Sequence, residues 1–371
     1  MYCIEYFLHY LQKQTPNNYT LQKFLIQVLF FFLKYMTITL TKNPIQIKFF
    51  ERLRTSVPAN ISLAADIAEI LEISADGAYR RMRGESVLSM DELVLLCRHY
   101  KVSPDLVVHA EDTGASFTFR KLVDKAEGLK EYINSILEDM QTIYASNPKQ
   151  IIYAANDLPV FHQFRYPHYA AFKIFSWKRT ILNITTTETL KFNISNMPSE
   201  ISDACKRIAE LYTQIPSIEI WHEDTMDSNL KLIEYAWDAG LFSCKEDALT
   251  ICKEFSELLA SVEKQAARSS KFMKEEKWAE NEGNFTMYQS ELLLSNNHIF
   301  VTRGVEKKIY LSHNTFNTMA TTNSSFCNET ENWLKSLMQK SLMISGTAEK
   351  QRHRFFKNGQ NKIDELVARI K

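Results

Sequence analysis

The sequence has few residues that interrupt regular structure. Its 371 residues include only 9 glycines and 9 prolines, about half of their ordinary usage in globular proteins. Because these two residues most often end helices and strands, we expect long helices and a mainly α fold. The apolar fraction of 45% is ample for a packed core, and the length predicts about two or three domains.

The chain also lacks an excess of charge of either sign. Its 44 Lys and Arg residues balance 44 Asp and Glu residues, so the formal net charge is zero. A protein that holds nucleic acid through its overall electrostatic field is strongly basic. The balance excludes binding of that kind and leaves a local patch as the route to any nucleic-acid contact.

Clustered cysteines, metal motifs and catalytic motifs are absent from the sequence. The six cysteines are dispersed, which excludes a disulfide framework or zinc ribbon and favours reduced thiols in a cytoplasmic protein. No glycine-rich phosphate loop, G-x-S-x-G or H-E-x-x-H motif occurs. We therefore expect no catalytic residues, no metal and no cofactor.

Residues 1–36 contain the longest apolar run, Phe24 to Leu33. The run is too short for a bilayer span, which needs about 20 residues, and no cleavage-site pattern typical of a signal peptide follows it. We expect no membrane contact. Residues 1–36 are interpreted as an N-terminal extension, either an extra amphipathic helix or, as we favour, a segment upstream of a true start at Met36.

Residues 37–112 contain five short helical patterns, which predict a compact bundle. Ser74 is a candidate N-cap of the third helix, which ends at Gly84. Ser89 followed by Glu92 has capping-box spacing at the start of the fourth. The five helices are expected at residues 45–56, 62–71, 74–83, 89–100 and 105–109.

The second and third helices carry a family resemblance. The run Ile67 to Gly84 (IAEILEISADGAYRRMRG) resembles the helix-turn-helix of Cro/XRE-type, phage-repressor-like regulators, whose pattern is L-A-x-x-L-G-V-S-x-x-x-I-S-R-x-E-x-G. The segment Tyr79 to Glu85 (YRRMRGE) is similar to the BetR-like variants of this family. Met90 to Leu106 resembles the following two helices of the family. The resemblance implies a DNA-binding regulator whose third helix enters the major groove. The residues that fall on the pattern are Ala68, Leu71, Ile73, Ser74, Arg80 and Gly84.

Two residues depart from the family pattern. Glu72 replaces the turn glycine, although a non-glycine residue in the left-handed conformation costs roughly 1 kcal/mol. Met82 replaces the usual acidic residue, so we expect an apolar contact where family members often form an ion pair. Neither change lies on the face expected to meet DNA.

The third helix combines a narrow apolar face with a polar one. Ala75, Ala78 and Met82 recur at helical spacing and are expected to pack on the second helix. Asp76, Arg80 and Arg83 lie opposite, which indicates either a DNA-reading face or a solvated charged face. The candidate DNA-binding residues are Ser74, Ala75, Asp76, Tyr79, Arg80, Arg81 and Arg83.

Each candidate has an expected role. Arg80 and Arg83 are assigned to bases, because Arg binds guanine bidentately in the major groove. Ser74, Tyr79 and Arg81 are assigned to the DNA backbone. Asp76 has two alternatives: it accepts a hydrogen bond from cytosine, or it favours the positive end of its own helix.

Residues 113–148 carry a heptad pattern. From Phe119 to Ile143 the apolar residues follow a/d spacing, which predicts a linker helix about 37 Å long. A dimer could use it as a coiled coil that places two recognition helices about 34 Å apart. The alternative is packing within its own chain, because further apolar residues widen the stripe.

Residues 149–371 predict a mostly helical C-terminal domain for sensing or oligomerisation. Its aromatic-rich run, Tyr153 to Trp177, indicates either plain core or a pocket for an effector. Three strand patterns predict a small antiparallel β-meander. Helices are expected at residues 158–182, 200–212, 227–239, 245–264, 330–343 and 348–370, and strands at 288–294, 299–302 and 308–311.

The sequence favours a cytoplasmic, sequence-specific transcriptional regulator that binds double-stranded DNA as a homodimer. A small-molecule or protein effector of unknown identity would act on its C-terminal domain. Two alternatives stay open: an interaction adaptor that keeps the helix-turn-helix as a scaffold, and an enzyme that a DNA-binding head directs to its target.

Overall fold

The computed structural model divides the chain into two compact units, Met1–Ser116 and Phe117–Lys371. The predicted extension 1–36 and the predicted fifth helix 105–109 lie outside the described residues. Among the helices that are described, none combines the length and apolar character that a bilayer span requires. The structure describes residues 43–56, 62–100, 102, 115–119, 126–181, 191–196, 198–313 and 317–371.

The first unit packs its described helices around a small apolar core. The third helix contributes a single fully buried side chain, Ala78, so most of its surface faces outward. The helices are α1 (Pro44–Ser56), α2 (Leu63–Ile70), α3 (Ala75–Met82) and α4 (Met90–Tyr100). The buried core side chains are Phe49, Phe50, Leu53, Leu63, Ile67, Ala78 and Leu96.

A buried glutamine in α1, Gln46, holds the end of α3 in place. Its Nε2 donates to the carbonyl oxygens of Arg81 and Ser86, each at 2.7 Å, and its Oε1 accepts from the backbone N–H of Leu88 at 2.9 Å. Buried backbone groups need partners of this kind. The orientation of α3 is therefore fixed by hydrogen bonds as well as by the core.

The second unit is built on a mixed sheet of eight described strands. Their order across the sheet is β1-β7-β6-β5-β2-β3-β4-β8. The pairs β2–β3 and β3–β4 are parallel, and every other described pair is antiparallel. The strands are β1 (Thr118–Phe119), β2 (Lys149–Ala155), β3 (Ser217–His222), β4 (Phe285–Ser290), β5 (His298–Arg303), β6 (Glu306–His313), β7 (Asn317–Thr321) and β8 (Leu342–Met343).

The predicted small antiparallel meander is wrong in its first strand. Strands β5 and β6 pair antiparallel as expected, but β4 pairs in parallel with β3, so two strands separate it from β5. Sequence reasoning missed β2 and β3, because a short apolar run such as Ile218–Trp221 fits a buried strand and a helix segment equally well. The coarser prediction of a mainly α fold is confirmed.

Helices cover both faces of the sheet. Alternate residues of β2 point to opposite sides: Ile151 and Tyr153 join the main core, whereas Ile152 and Ala154 join a smaller core with α11. The aromatic-rich run contributes most of its rings to the main core. The helices of this unit are α5 (Ala126–Ala145), α6 (Val160–Gln163), α7 (Pro167–Ile181), α8 (Ser199–Gln214), α9 (Asp227–Asp238), α10 (Lys245–Arg268), α11 (Ser324–Gln339) and α12 (Glu349–Ile370).

The predicted linker helix belongs to the second unit. Phe119 lies in β1 rather than in a helix, and the described helix begins only at Ala126. Its heptad positions Leu129, Ile133 and Met140 are at most 2% exposed and lie in the main core. The predicted coiled-coil seam within residues 113–148 is therefore wrong, and the alternative of packing within the chain is confirmed. Helix α8 covers the stripe.

Candidate nucleic-acid interface

A tight turn joins α2 to α3. Glu72 adopts a positive φ of 53°, and the backbone N–H of Ile73 donates to the carbonyl oxygen of Ala68 at 2.9 Å. Glu72 thus takes the left-handed conformation at the position where the family pattern has glycine. The turn is formed without glycine, at a strain of about 1 kcal/mol.

Ser74 caps α3, as its sequence position predicts. Its Oγ accepts from the backbone N–H of Gly77 at 3.1 Å, and its own backbone is extended. Because the hydroxyl oxygen already serves the helix, an anion at this end would meet backbone N–H groups of the first turn. Ala75, expected on the packing face, is exposed beside this end.

The outward face of α3 carries four exposed polar or aromatic side chains. They are Asp76, Tyr79, Arg80 and, at the C-cap, Arg83. Tyr79 is 46% exposed. Met82, on the other side, packs against the core of the unit, which agrees with the expected apolar contact.

Arg81 is bound inside the unit. Its guanidinium donates from Nη2 to Oε1 of Glu92 at 2.7 Å and from Nε to Oε2 at 3.2 Å. Glu92 also accepts from the backbone N–H of Ser89 at 2.9 Å, and Ser89 Oγ accepts from the backbone N–H of Glu92 at 3.1 Å. This is the predicted capping box. The hydrogen bond from Arg81 is the main reason that the pKa of Glu92 is lowered.

The three arginines at the end of α3 therefore differ. Arg81 and Glu92 are each 20% exposed, so this ion pair fixes α3 against α4, and the expected phosphate contact by Arg81 does not fit its position. Arg83 forms an exposed two-point ion pair with Glu85, at 2.8 Å and 2.9 Å. The exposed guanidinium of Arg80 has no hydrogen-bond or ion-pair partner among the residues that the structure describes.

Sequence reasoning missed a buried polar network in the second unit. Glu219, in the middle of β3, accepts from Tyr212 Oη at 2.5 Å and from Trp221 Nε1 at 2.8 Å, and it contacts His162 Nε2 at 2.7 Å. Burial acts to raise the pKa of Glu219, but His162 and the hydrogen bonds lower it overall. Burial lowers the pKa of Lys271, whose Nζ lies 3.8 Å from the Tyr212 ring centroid, to about 7. These side chains lie inside the unit and are at most 6% exposed.

A second missed cluster lies where the parallel strands β2 and β3 end. Asp157 Oδ1 accepts from Ser228 Oγ and from Asn229 Nδ2, both at 2.6 Å. Asn229 Oδ1 accepts in turn from Tyr169 Oη at 2.7 Å and from Lys173 Nζ at 2.9 Å. The cluster ties α7 and α9 to this edge of the sheet. Only the local signal of polar residues after a strand could have indicated it.

The comparisons with known proteins add no family. No protein-family model, curated protein or solved structure matches the chain. Within the described ranges, no group of three or more His, Cys, Asp or Glu side chains is placed to hold a metal ion.

Proposed function

We propose that the chain is a cytoplasmic, sequence-specific DNA-binding regulator that inserts α3 into the major groove. The observation that carries the proposal is the shape of α3: it buries one side chain and turns a stripe of arginine, tyrosine and aspartate outward. The major groove is about 12 Å wide and admits a helix, and arginine binds guanine O6 and N7 bidentately. A turn of helix-turn-helix type, with Glu72 left-handed, precedes this helix.

The geometry favours distinct roles along the stripe. Arg80 is proposed to read a base, because its guanidinium is exposed and has no partner among the described residues. Arg83 would bind a second base once its ion pair with Glu85 is broken. Tyr79 and the first-turn N–H groups at Ser74 and Ala75 would meet the DNA backbone. For Asp76 both roles stay open: a hydrogen bond accepted from cytosine, or stabilisation of the N-terminus of its own helix.

Arg81 is proposed as a positioning residue. Its ion pair with Glu92 joins α3 to the start of α4, and Gln46 holds the Arg81 carbonyl oxygen from α1. These contacts set the angle at which α3 leaves the body of the unit. A helix that must reach base edges depends on such fixed orientation.

The second unit is proposed to sense an effector or to mediate assembly.

The charge balance of the DNA-binding region favours a homodimer. Residues 37–110 contain nine basic and nine acidic residues, so a single copy of this region should bind DNA weakly. A homodimer that places two copies of this region on one DNA site would raise the affinity. The dimer contact would lie outside α5, whose heptad stripe is buried. Sedimentation of the full chain as a monomer at micromolar concentration would contradict the proposed homodimer.

DNA titrations with the full chain test the proposal. Wild type should bind duplex DNA at low ionic strength and weaken as salt is added. Arg80→Ala should lose about 1–3 kcal/mol of binding free energy on a preferred site, and less on mixed-sequence DNA. Arg98→Ala, an exposed arginine of α4, is the matched control. Equal losses for both variants would contradict the assignment.

A second candidate function is supported by exposed apolar side chains. Val87, Met90, Val94 and Leu95 are each at least 42% exposed in the first unit, and apolar surface of this kind favours protein contact. The helix-turn-helix would then be a scaffold in an interaction adaptor. Absence of salt-dependent DNA binding by the full chain would favour this reading over the first.

A further inference from the structure

The backbone after α3 places Glu85 beside Arg83. Gly84 has a φ of +71°, and a Cβ there would lie 3.1 Å from both the backbone nitrogen of Asn43 and Cγ1 of Ile47, so the chain path requires glycine. The next N–H, that of Glu85, donates to the carbonyl oxygen of Arg80 at 2.8 Å. The end of α3 therefore fixes the backbone of Glu85 within reach of the Arg83 side chain.

That carboxylate occupies one edge of the Arg83 guanidinium. The two donor atoms on this edge, Nε and Nη2, can also bind a guanine edge or a phosphate side-on. The pair is exposed, with side chains 52% and 42% accessible, and such a pair contributes little to stability. Its main effect is on the surface charge, since Asp76, Arg80, Arg83 and Glu85 sum to a formal charge of zero.

We propose that Glu85 is a specificity-determining residue that weakens binding to DNA lacking the preferred site. The inference rests on the proposed DNA-binding function. On a preferred site, a guanine replaces Glu85 as the bidentate partner of Arg83. On other sequences no such replacement exists, and the carboxylate stays close to the phosphates, where like charge is repelled.

Glu85→Gln tests the proposal in DNA titrations of the full chain. On a mixed-sequence duplex we expect affinity to rise about three- to tenfold. The slope of log affinity against log salt should steepen by about 0.9, because Arg83 then neutralises one more phosphate. On a site selected from random DNA the gain should be smaller, so the ratio of specific to nonspecific affinity falls.

Two comparisons separate this effect from a general change of charge. Glu69→Gln removes an exposed acid of α2 that forms no ion pair among the described residues, so it reports the field effect alone. The double variant Arg83→Ala/Glu85→Gln removes the partner. The affinity of this double variant for mixed-sequence DNA is compared with that of Arg83→Ala. The increase should be no larger than the increase that Glu69→Gln produces in the wild-type background.

The outcomes distinguish the two proposals. If wild type binds DNA and Glu85→Gln gains no more than Glu69→Gln, the role of Glu85 is overturned while the proposed function stands. The role of Glu85 is also overturned if Glu85→Gln raises DNA affinity as much in the Arg83→Ala background as in wild type. If wild type shows no salt-dependent binding, the proposed function fails first and the inference with it. Far-UV circular dichroism of each variant checks that it is folded.

Discussion

Replacement of Gln46 by methionine should destabilise the first unit and leave the second unchanged. The substitution keeps the length of the side chain but removes three hydrogen bonds, to the carbonyl oxygens of Arg81 and Ser86 and from the N–H of Leu88. At about 1 kcal/mol of net stability for each bond, the loss is about 3 kcal/mol. In a domain of this size that lowers the melting temperature by about 12–24 °C.

The distribution of tryptophan provides the assay. All five tryptophans lie in the second unit, so their fluorescence reports that unit alone, whereas far-UV circular dichroism reports the helices of both. In urea titrations of Gln46→Met, part of the dichroism signal should be lost at lower urea concentration, and the fluorescence midpoint should not move. Gln141→Met, at an exposed position of α5, is the control.

Two results would refute this reasoning about Gln46. A loss below about 0.5 kcal/mol, the usual range for a surface substitution, would mean that the backbone groups find other partners. A parallel shift of the fluorescence midpoint would mean that the two units unfold together. The first result would remove Gln46 as a residue that fixes α3, and the second would contradict independent unfolding of the two units.

Two further predictions concern the second unit, and tryptophan fluorescence measures both. Gly359→Ala should destabilise it by about 1–3 kcal/mol, because the new Cβ would lie 2.3 Å from Met226 Sδ inside the core; no loss would show that Met226 can move aside. Lys271 has its pKa lowered to about 7 by burial, so above that pH the unfolded chain binds a proton that the folded chain does not, and wild-type stability should rise from about pH 7 to pH 9. Lys271→Met should flatten this rise, and an equal rise in both proteins would contradict the prediction.

Local chemistry made part of the candidate site predictable. The Ser74 cap, the Ser89–Glu92 capping box and the helix end at Gly84 depend on residues within a few positions of each other, and the structure contains each of them. The partners of Arg81 and Arg83 were not foreseen. Helical periodicity tells which side of a helix a residue occupies, but not which carboxylate the following loop or helix brings to it.

The second unit shows why the rest of the fold was not predicted. The heptad stripe of α5 identified a buried face, yet a buried face packs equally well on a second chain or on a neighbouring helix, and α8 supplies that helix. Strands β2 and β3 pair residues more than 60 positions apart, such as Ile151 and Ser217. Glu219 and Lys271 are likewise brought close only by the finished core.

Selection of bound sequences from random DNA, with the full wild-type chain and Arg80→Ala side by side, tests the central claim most directly. If α3 reads bases through Arg80, wild type enriches a defined motif, and the variant loses its preference at one base pair of that motif while keeping the others. Failure of wild type to enrich any motif, or an identical motif for both proteins, would contradict the account.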